Sequence, residues 1–196
     1  MALGLFDYCR KSRSNGFVVS LSGGADSAAV AVLVRYMVEL AIQDLGLQGL
    51  AAKLPQTPGL QSARSPSQCV EHLLTTAYQS TRNSSEVTRS AARDVAEAVG
   101  ARHFEFDVDS LVQAYTNLVE GALGRKLEWS RDDLALQNIQ ARVRAPSVWM
   151  LANVSGALLL ATSNRSEAAV GYATMDGDTA GGLSPIAGID KAFLRR

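Results

Sequence analysis

The chain has 196 residues, 47% of them hydrophobic and 19% charged, which suits one domain at about 150 residues per domain. Its 19 basic residues balance 19 acidic ones, so there is no basic excess to track nucleic acid. Cys9 and Cys69 are too few for a disulfide framework or a four-thiolate metal site, no apolar run reaches the roughly 18 residues that span a bilayer, and MALGLFDYCRKSRS lacks a signal-peptide layout, all of which reads as a soluble cytoplasmic protein.

The first clear element is FVVSLS, residues 17–22, a β-rich apolar run that stops at Gly23 and Gly24. The Ala-rich stretch ADSAAVAVLVRYMVELAIQDL has helical spacing, with Asp26 near its start. Residues 46–68 carry Gly46, Gly49, Pro55, Pro58, Gly59 and Pro66, and read as a long loop. HLLTTAYQ is predicted as a second strand and SSEVTRSAARDVAEAVG as a helix capped by Ser84 or Ser85 and stopped by Gly100. ARHFEFDV alternates as a third strand, and DSLVQAYTNLVEGAL is a helix opened by Asp109 or Ser110. After a connection at 121–131, DDLALQNIQARVRAPSVWMLANV reads as a long helix that Pro146 kinks or interrupts. GALLLATS is a continuous apolar strand of the kind buried on both faces. NRSEAAVGY then begins as a helix, GDTAGGLSP is a loop, and GIDKAFLRR starts a further element.

Strands alternating with helices predict an α/β fold, a doubly wound parallel sheet with helices on both faces. If strands 1, 2 and 3 wind one way and strand 4 returns beside strand 1, the switch point lies between strands 1 and 4. Ligands of such sheets bind outside the carboxyl ends of the strands at that point. Those ends are SGGADS, residues 22–27, and TSNRSE, residues 162–167.

In SGGADS the glycines let backbone amides approach a ligand, and the following helix start adds free N–H groups and partial positive charge. The result is an anion cradle suited to phosphates. It is neither a Walker loop nor a dinucleotide fingerprint, since no GxxxxGK[ST] or GxGxxG is present. Asp26 would repel a phosphate unless a cation lay between them, which points to Mg²⁺ bridging carboxylate and phosphate oxygens. The plainer reading is a Gly-Gly turn followed by an ordinary first-turn acid.

SGGADS resembles the SGGxDS signature of the PP-loop, or N-type, ATP pyrophosphatases, which cleave ATP between the α and β phosphates. QNIQARVRAP at 137–146 and LLLATSNRSEAAVGYATMDGDTAGGLSPIAGIDK at 158–191 resemble the synthetase domain of NAD synthetases, particularly the glutamine-dependent type. The likeness runs over nearly the whole chain. It implies an adenine nucleotide alpha hydrolase-like, Rossmann-like fold, and ATP-dependent amidation of deamido-NAD with ammonia. In that reaction the nicotinate carboxylate attacks the α-phosphorus, pyrophosphate leaves, and ammonia displaces AMP. Such chemistry needs cations and oriented amides more than acid–base groups, and no Ser-His-Asp set or His cluster is evident.

The resemblance assigns ATP to Ser20, Leu21, Ser22, Gly23, Gly24, Ala25, Asp26 and Ser27, together with Thr162 at the end of strand 4 and Lys191. Asp26 and Glu167 become the Mg²⁺ carboxylates, although Asn164, three residues before Glu167, also fits a capping box. Asn138, Arg142, Glu167 and Tyr172 are assigned to deamido-NAD. Asn138 and Arg142 share a helix face at i,i+4, while Leu136, Ile139 and Val143 form a separate apolar stripe. Tyr172 either stacks on a ring or packs as core. Met175 and Gly182 stand where ammonia-dependent members carry Lys and Asp, so those roles are not carried over. Asp176 and Asp178 read as solvated loop acids, Asp107 and Asp109 as strand-end and cap residues, and His72 and His103 as structural.

Residues 1–196 therefore read as a single NAD synthetase domain, incomplete at its C-terminus. No residues match the amidase domain of the glutamine-dependent type, so ammonia is expected free or from a separate amidase domain or subunit. The resemblance also implies a homodimer. Two further readings stand beside it: a nucleotide-binding module without turnover, and another PP-loop ligase of the kind used in GMP or asparagine synthesis, against which the fit of 137–191 argues.

Overall fold

The computed structural model describes residues 1–194. Its centre is a four-stranded parallel sheet in the order β3-β2-β1-β4, built from β1 (Phe17–Ser20), β2 (Leu74–Ser80), β3 (Arg102–Asp107) and β4 (Leu158–Leu160). This is the expected order, with the reversal between β1 and β4. Phe17 and Val19 point to one face of the sheet and Val18 to the other, as strand alternation requires. The first face packs on α1 (Ala2–Ser12), α2 (Ala25–Lys53), α3 (Pro66–Leu73) and α4 (Glu86–Val99). The second is covered by α7 (Arg144–Ser155), through Val148 and Ala152 against Val18, Ala77 and Leu159. Beside it, α5 (Asp109–Leu123) and α6 (Trp129–Arg142) share a small core of Val108, Val112 and Val143 packed on Ile139 and Phe106. Two short helices follow β4: α8 (Arg165–Val170) and α9 (Lys191–Leu194). No helix among the described residues is long and apolar enough to cross a membrane.

Several elements differ from expectation. The N-terminus forms α1, anchored by Leu5 and Cys9, which are one helical turn apart and buried. The predicted loop at 46–68 is mostly ordered: α2 continues to Lys53 through a kink at Gly46 (φ 70°, ψ 169°), and α3 begins at Pro66. Burial of Leu50, Leu54, Leu60, Cys69 and Val70 under the sheet outweighs the glycine and proline signals. As a result His72 lies in α3, and β2 starts at Leu74 rather than at His72.

The helix predicted at 132–154 is interrupted as expected, forming two helices that meet at Val143, while the first of them starts earlier, at Trp129 within the expected connection. Pro146 is the cause. It has no N–H to donate to the Arg142 carbonyl and its ring would collide there, so the chain restarts and places Pro146 in the first turn of α7. The caps expected for α4 are present: Ser85 Oγ accepts from Thr88 N at 3.2 Å, and Gly100 closes the helix at φ 77°. At α5 the cap position falls on Val108, without a side-chain bond, and Asp109 is the first helical residue.

Candidate functional site

The carboxyl ends of β1 and β4 meet in one place, and the loops leaving them are tightly tied. In the SGGADS loop the Ser22 N–H donates to Ser27 Oγ at 3.1 Å, and the Gly24 N–H donates to Ser22 Oγ at 3.2 Å. Ser27 is buried and donates in turn to the Gly24 carbonyl at 3.1 Å. Two of the loop amides assigned to phosphate are thus held by the loop's own hydroxyls. Gly23 has φ +80°, and a β-carbon there would run into the carbonyl of Thr88 in α4, so only glycine lets the loop lie this close. Leu21 is fully buried, with its N–H on the Ala77 carbonyl at 2.8 Å, so its side chain belongs to the core rather than to a ligand surface. Ser20 Oγ donates to Gln79 Oε1 at 2.9 Å, and Ala25 lies exposed at the start of α2.

Across from this loop, Asn164 caps α8. Its Oδ1 accepts from Glu167 N at 3.1 Å while Glu167 Oε2 accepts from Asn164 N at 3.3 Å, a complete capping box. The same Asn164, 1% exposed, donates through Nδ2 to Asp26 Oδ1 at 3.0 Å. Lys191 Nζ lies 2.8 Å from Asp26 Oδ2 and 3.5 Å from Glu167 Oε1. Glu167 therefore uses one oxygen to cap and presents the other to a cation. The Asp26 carboxylate, helped by Glu167, holds the Lys191 ammonium above the ordinary lysine range.

One ammonium reaching both carboxylates means that a single cation position serves Asp26 and Glu167, and a pair of hard oxygen donors suits Mg²⁺. Among the described residues no group of three or more His, Cys, Asp or Glu gathers to hold a metal alone. The remaining ligands of such an ion would be phosphate oxygens and water, as is usual for Mg²⁺ at nucleotides.

A cleft of about 350 Å³ opens beside these loops, lined by Ser20, Ser22, Gln79, Arg144, Thr162 and Asp178 among others. Thr162 thus faces the space where Ser20 and Ser22 lie. Asn138 and Arg142 serve the 171–178 segment: Thr174 Oγ1 donates to Asn138 Oδ1 at 3.5 Å, and Arg142 Nε donates to the Met175 carbonyl at 3.0 Å. Tyr172 is 81% exposed, so the core-packing alternative for it does not hold. Asp178 is exposed, as expected of a loop acid, and also borders the cleft; its Oδ2 accepts from Thr174 N at 3.4 Å. The site residues that sequence reasoning missed are Gln79, Arg144 and Asn164 as a partner of Asp26. Of these, only Asn164 carried a signal, as a cap.

His103 and His72 lie away from the site. His103 Nδ1 pairs with Thr76 Oγ1 at 2.8 Å, and burial pushes its pKa down. Asp107 accepts from Asp109 N at 2.9 Å, and Asp109 holds Arg82 through paired bonds of 2.9 and 2.7 Å.

Comparison with known proteins gives the family and the fold. The family model described as NAD synthase matches residues 1–195. The glutamine-dependent NAD(+) synthetase of Oryza sativa subsp. indica is 35% identical over 97% of this chain and 29% of its own length, and that of Saccharomyces cerevisiae 33% over 98% and 30%. A crystal structure of a glutamine-dependent NAD(+) synthetase from Cytophaga hutchinsonii superposes with a TM-score of 0.93 at 51% identity, covering 99% of this chain and 35% of that one. The NH3-dependent NAD synthetase from Campylobacter jejuni shares the fold at a TM-score of 0.71 and 21% identity, over 98% of this chain and 66% of that one. The chain thus spans about a third of the length of the glutamine-dependent relatives it matches. A phosphate-type loop at the β1–β4 switch point, two carboxylates facing one cation position and a match from end to end lead to one conclusion: the chain belongs to the NAD synthase family.

Proposed function

We propose that this chain is the ATP-using domain of a ligase that converts deamido-NAD to NAD, with an adenylated nicotinate carboxylate as intermediate. The observation that supports it most is the cluster Asp26–Lys191–Glu167 beside the SGGADS loop at the β1–β4 switch point. ATP would lie in the cleft with its β and γ phosphates toward residues 22–27 and its contacts completed by Ser20, Thr162 and Lys191. Asp26 and Glu167 would hold Mg²⁺, which when bound offsets the negative charge of the phosphates. The chain's own part is positioning. Free amides at the start of α2 orient the leaving pyrophosphate, and Lys191 adds a mobile point charge. The nicotinate carboxylate then attacks the α-phosphorus, the bond to the pyrophosphate oxygen breaks, ammonia attacks the resulting acyl carbon, and AMP leaves.

Deamido-NAD is assigned to the face that Asn138 and Arg142 share with the 171–178 segment and to exposed Tyr172, available to stack on a ring. Ammonia comes free or from an amidase domain or subunit, and the working form is a cytoplasmic homodimer. ATP–pyrophosphate exchange tests the reading. Exchange that needs Mg²⁺ and deamido-NAD, and disappears in Asp26→Ala, is expected. Absence of exchange with ATP binding retained would reduce the chain to a nucleotide-binding module.

A further inference from the structure

Arg144 opens α7 at the break that Pro146 imposes, and this turns its side chain onto the cleft wall. Its Nε donates to the Gln79 carbonyl at 3.2 Å, while the Gln79 side chain returns to the Arg144 carbonyl and to Ser147 Oγ, each at 3.4 Å. The Gln79 carbonyl thus aims the guanidinium, and the Gln79 side chain holds the main chain from which it extends. None of the ion pairs among the described residues includes Arg144. The sealed polar atoms without a partner are Thr57 Oγ1 and His103 Nε2, so the Nη groups of Arg144 are not closed off and open onto the cleft.

A half-buried cation with no carboxylate bonded to it is costly unless something anionic arrives. Burial works against the charge of Arg144, and the field of Asp178, the acid that shares the cleft, works for it. The other polar groups of the wall are mostly hydroxyls, including those of Ser20, Ser22, Thr88 and Thr162. Such a wall donates to phosphate or carboxylate oxygens but does not balance their charge. The planar fork of an arginine does both.

We infer that Arg144 is a substrate-binding residue whose free Nη groups take an oxyanion of the bound nucleotide, from the phosphates of ATP or from deamido-NAD. The inference rests on the proposed function, and the presence of Ser22 in the same cleft favours ATP. Calorimetric titration of ATP with Mg²⁺, and separately of deamido-NAD, into the wild-type chain, Arg144→Lys and Arg144→Met tests it. Arg144→Met should weaken one ligand about tenfold or more, the scale of a charged hydrogen bond, and Arg144→Lys should fall between. The salt dependence of that affinity should also flatten, which a mere packing defect would not cause. A loss for ATP identifies the phosphate, and a loss for deamido-NAD alone identifies that substrate. Unchanged affinity for both ligands in folded Arg144→Met overturns the inference and leaves the proposed function standing. If Arg144→Met does not fold, unchanged affinities in Arg144→Lys overturn it. A wild-type chain that binds neither ligand overturns the proposed function and the inference together.

Discussion

At the scale of single residues, the site is organised by groups that each serve two neighbours. Asn164 uses its carbonyl oxygen to start α8 and its amide to hold Asp26. Glu167 divides its oxygens between the cap and Lys191. Lys191 stands where a divalent cation would have to reach both carboxylates, so the two cations compete for the same oxygens. Lys191→Met is therefore expected to bind Mn²⁺, a paramagnetic stand-in for Mg²⁺, more tightly without nucleotide. The gain should be at most about fivefold, since a half-exposed ion pair is worth ~1 kcal/mol or less. Electron paramagnetic resonance titration measures it, and a weaker affinity would show that Lys191 helps to hold the carboxylates in place instead. Gly23 is the other decisive residue. Gly23→Ala puts a β-carbon against the Thr88 carbonyl at a positive φ, and should cost about 2 kcal/mol in urea denaturation.

At the scale of elements, the sheet edge shows how charge fixes a helix to a strand. Glu105 on the edge strand β3 accepts from Arg89 Nε at 2.7 Å and Arg93 Nη2 at 2.8 Å, both one helical turn apart on α4. Charged residues on an outer strand also discourage pairing with other chains. The arginines hold the Glu105 carboxyl below the ordinary glutamate range. A depressed acid stabilises the fold above its unfolded pKa and loses that contribution as pH falls through the folded one. Chemical denaturation of wild type and Glu105→Gln should therefore differ most at neutral pH and converge as pH falls below about 4.3. A constant difference would mean that the pair contributes through packing alone.

Elements were also where sequence reasoning was most and least successful. The four strands, the Ser85 and Gly100 caps of α4 and the strand order were legible, because apolar runs, cap chemistry and crossover geometry are local or nearly so. Residues 46–68 were not. Their glycines and prolines signal a loop, and only the burial of Leu50, Leu54, Leu60 and Val70 beneath the sheet makes helix the better outcome.

At the scale of the whole molecule, the larger core closes around both cysteines. Cys9 donates to the Ser14 carbonyl at 3.3 Å, and burial pushes its thiol up to about 11. Cys69 is likewise buried, and its thiol is pushed up. The thiolate is the reactive form, so both should react slowly with Ellman's reagent at pH 8 in the native chain and rapidly in denaturant. Fast reaction of either thiol without denaturant would reveal local opening of α1 or α3 rather than a single cooperative core.

By itself the sequence determined the parallel sheet, its switch point, the glycine-dependent loop and the acids Asp26 and Glu167 that flank it. The sheet and the loop follow from residue type and short spacing, the switch point from crossover geometry, and the place of Glu167 from the resemblance to NAD synthetases. Tertiary structure alone decided the rest. Arg142 and Arg144 lie two residues apart at the junction of α6 and α7, and their partners come from distant parts of the chain. Arg142 holds the Met175 carbonyl, while Arg144 meets Gln79 from a strand 65 residues earlier in the chain. The tie from Asn164 to Asp26 spans 138 residues, and that from Lys191 to Asp26 spans 165. Contacts at such separations have no local pattern to read, because they exist only once packing has brought the strand ends together.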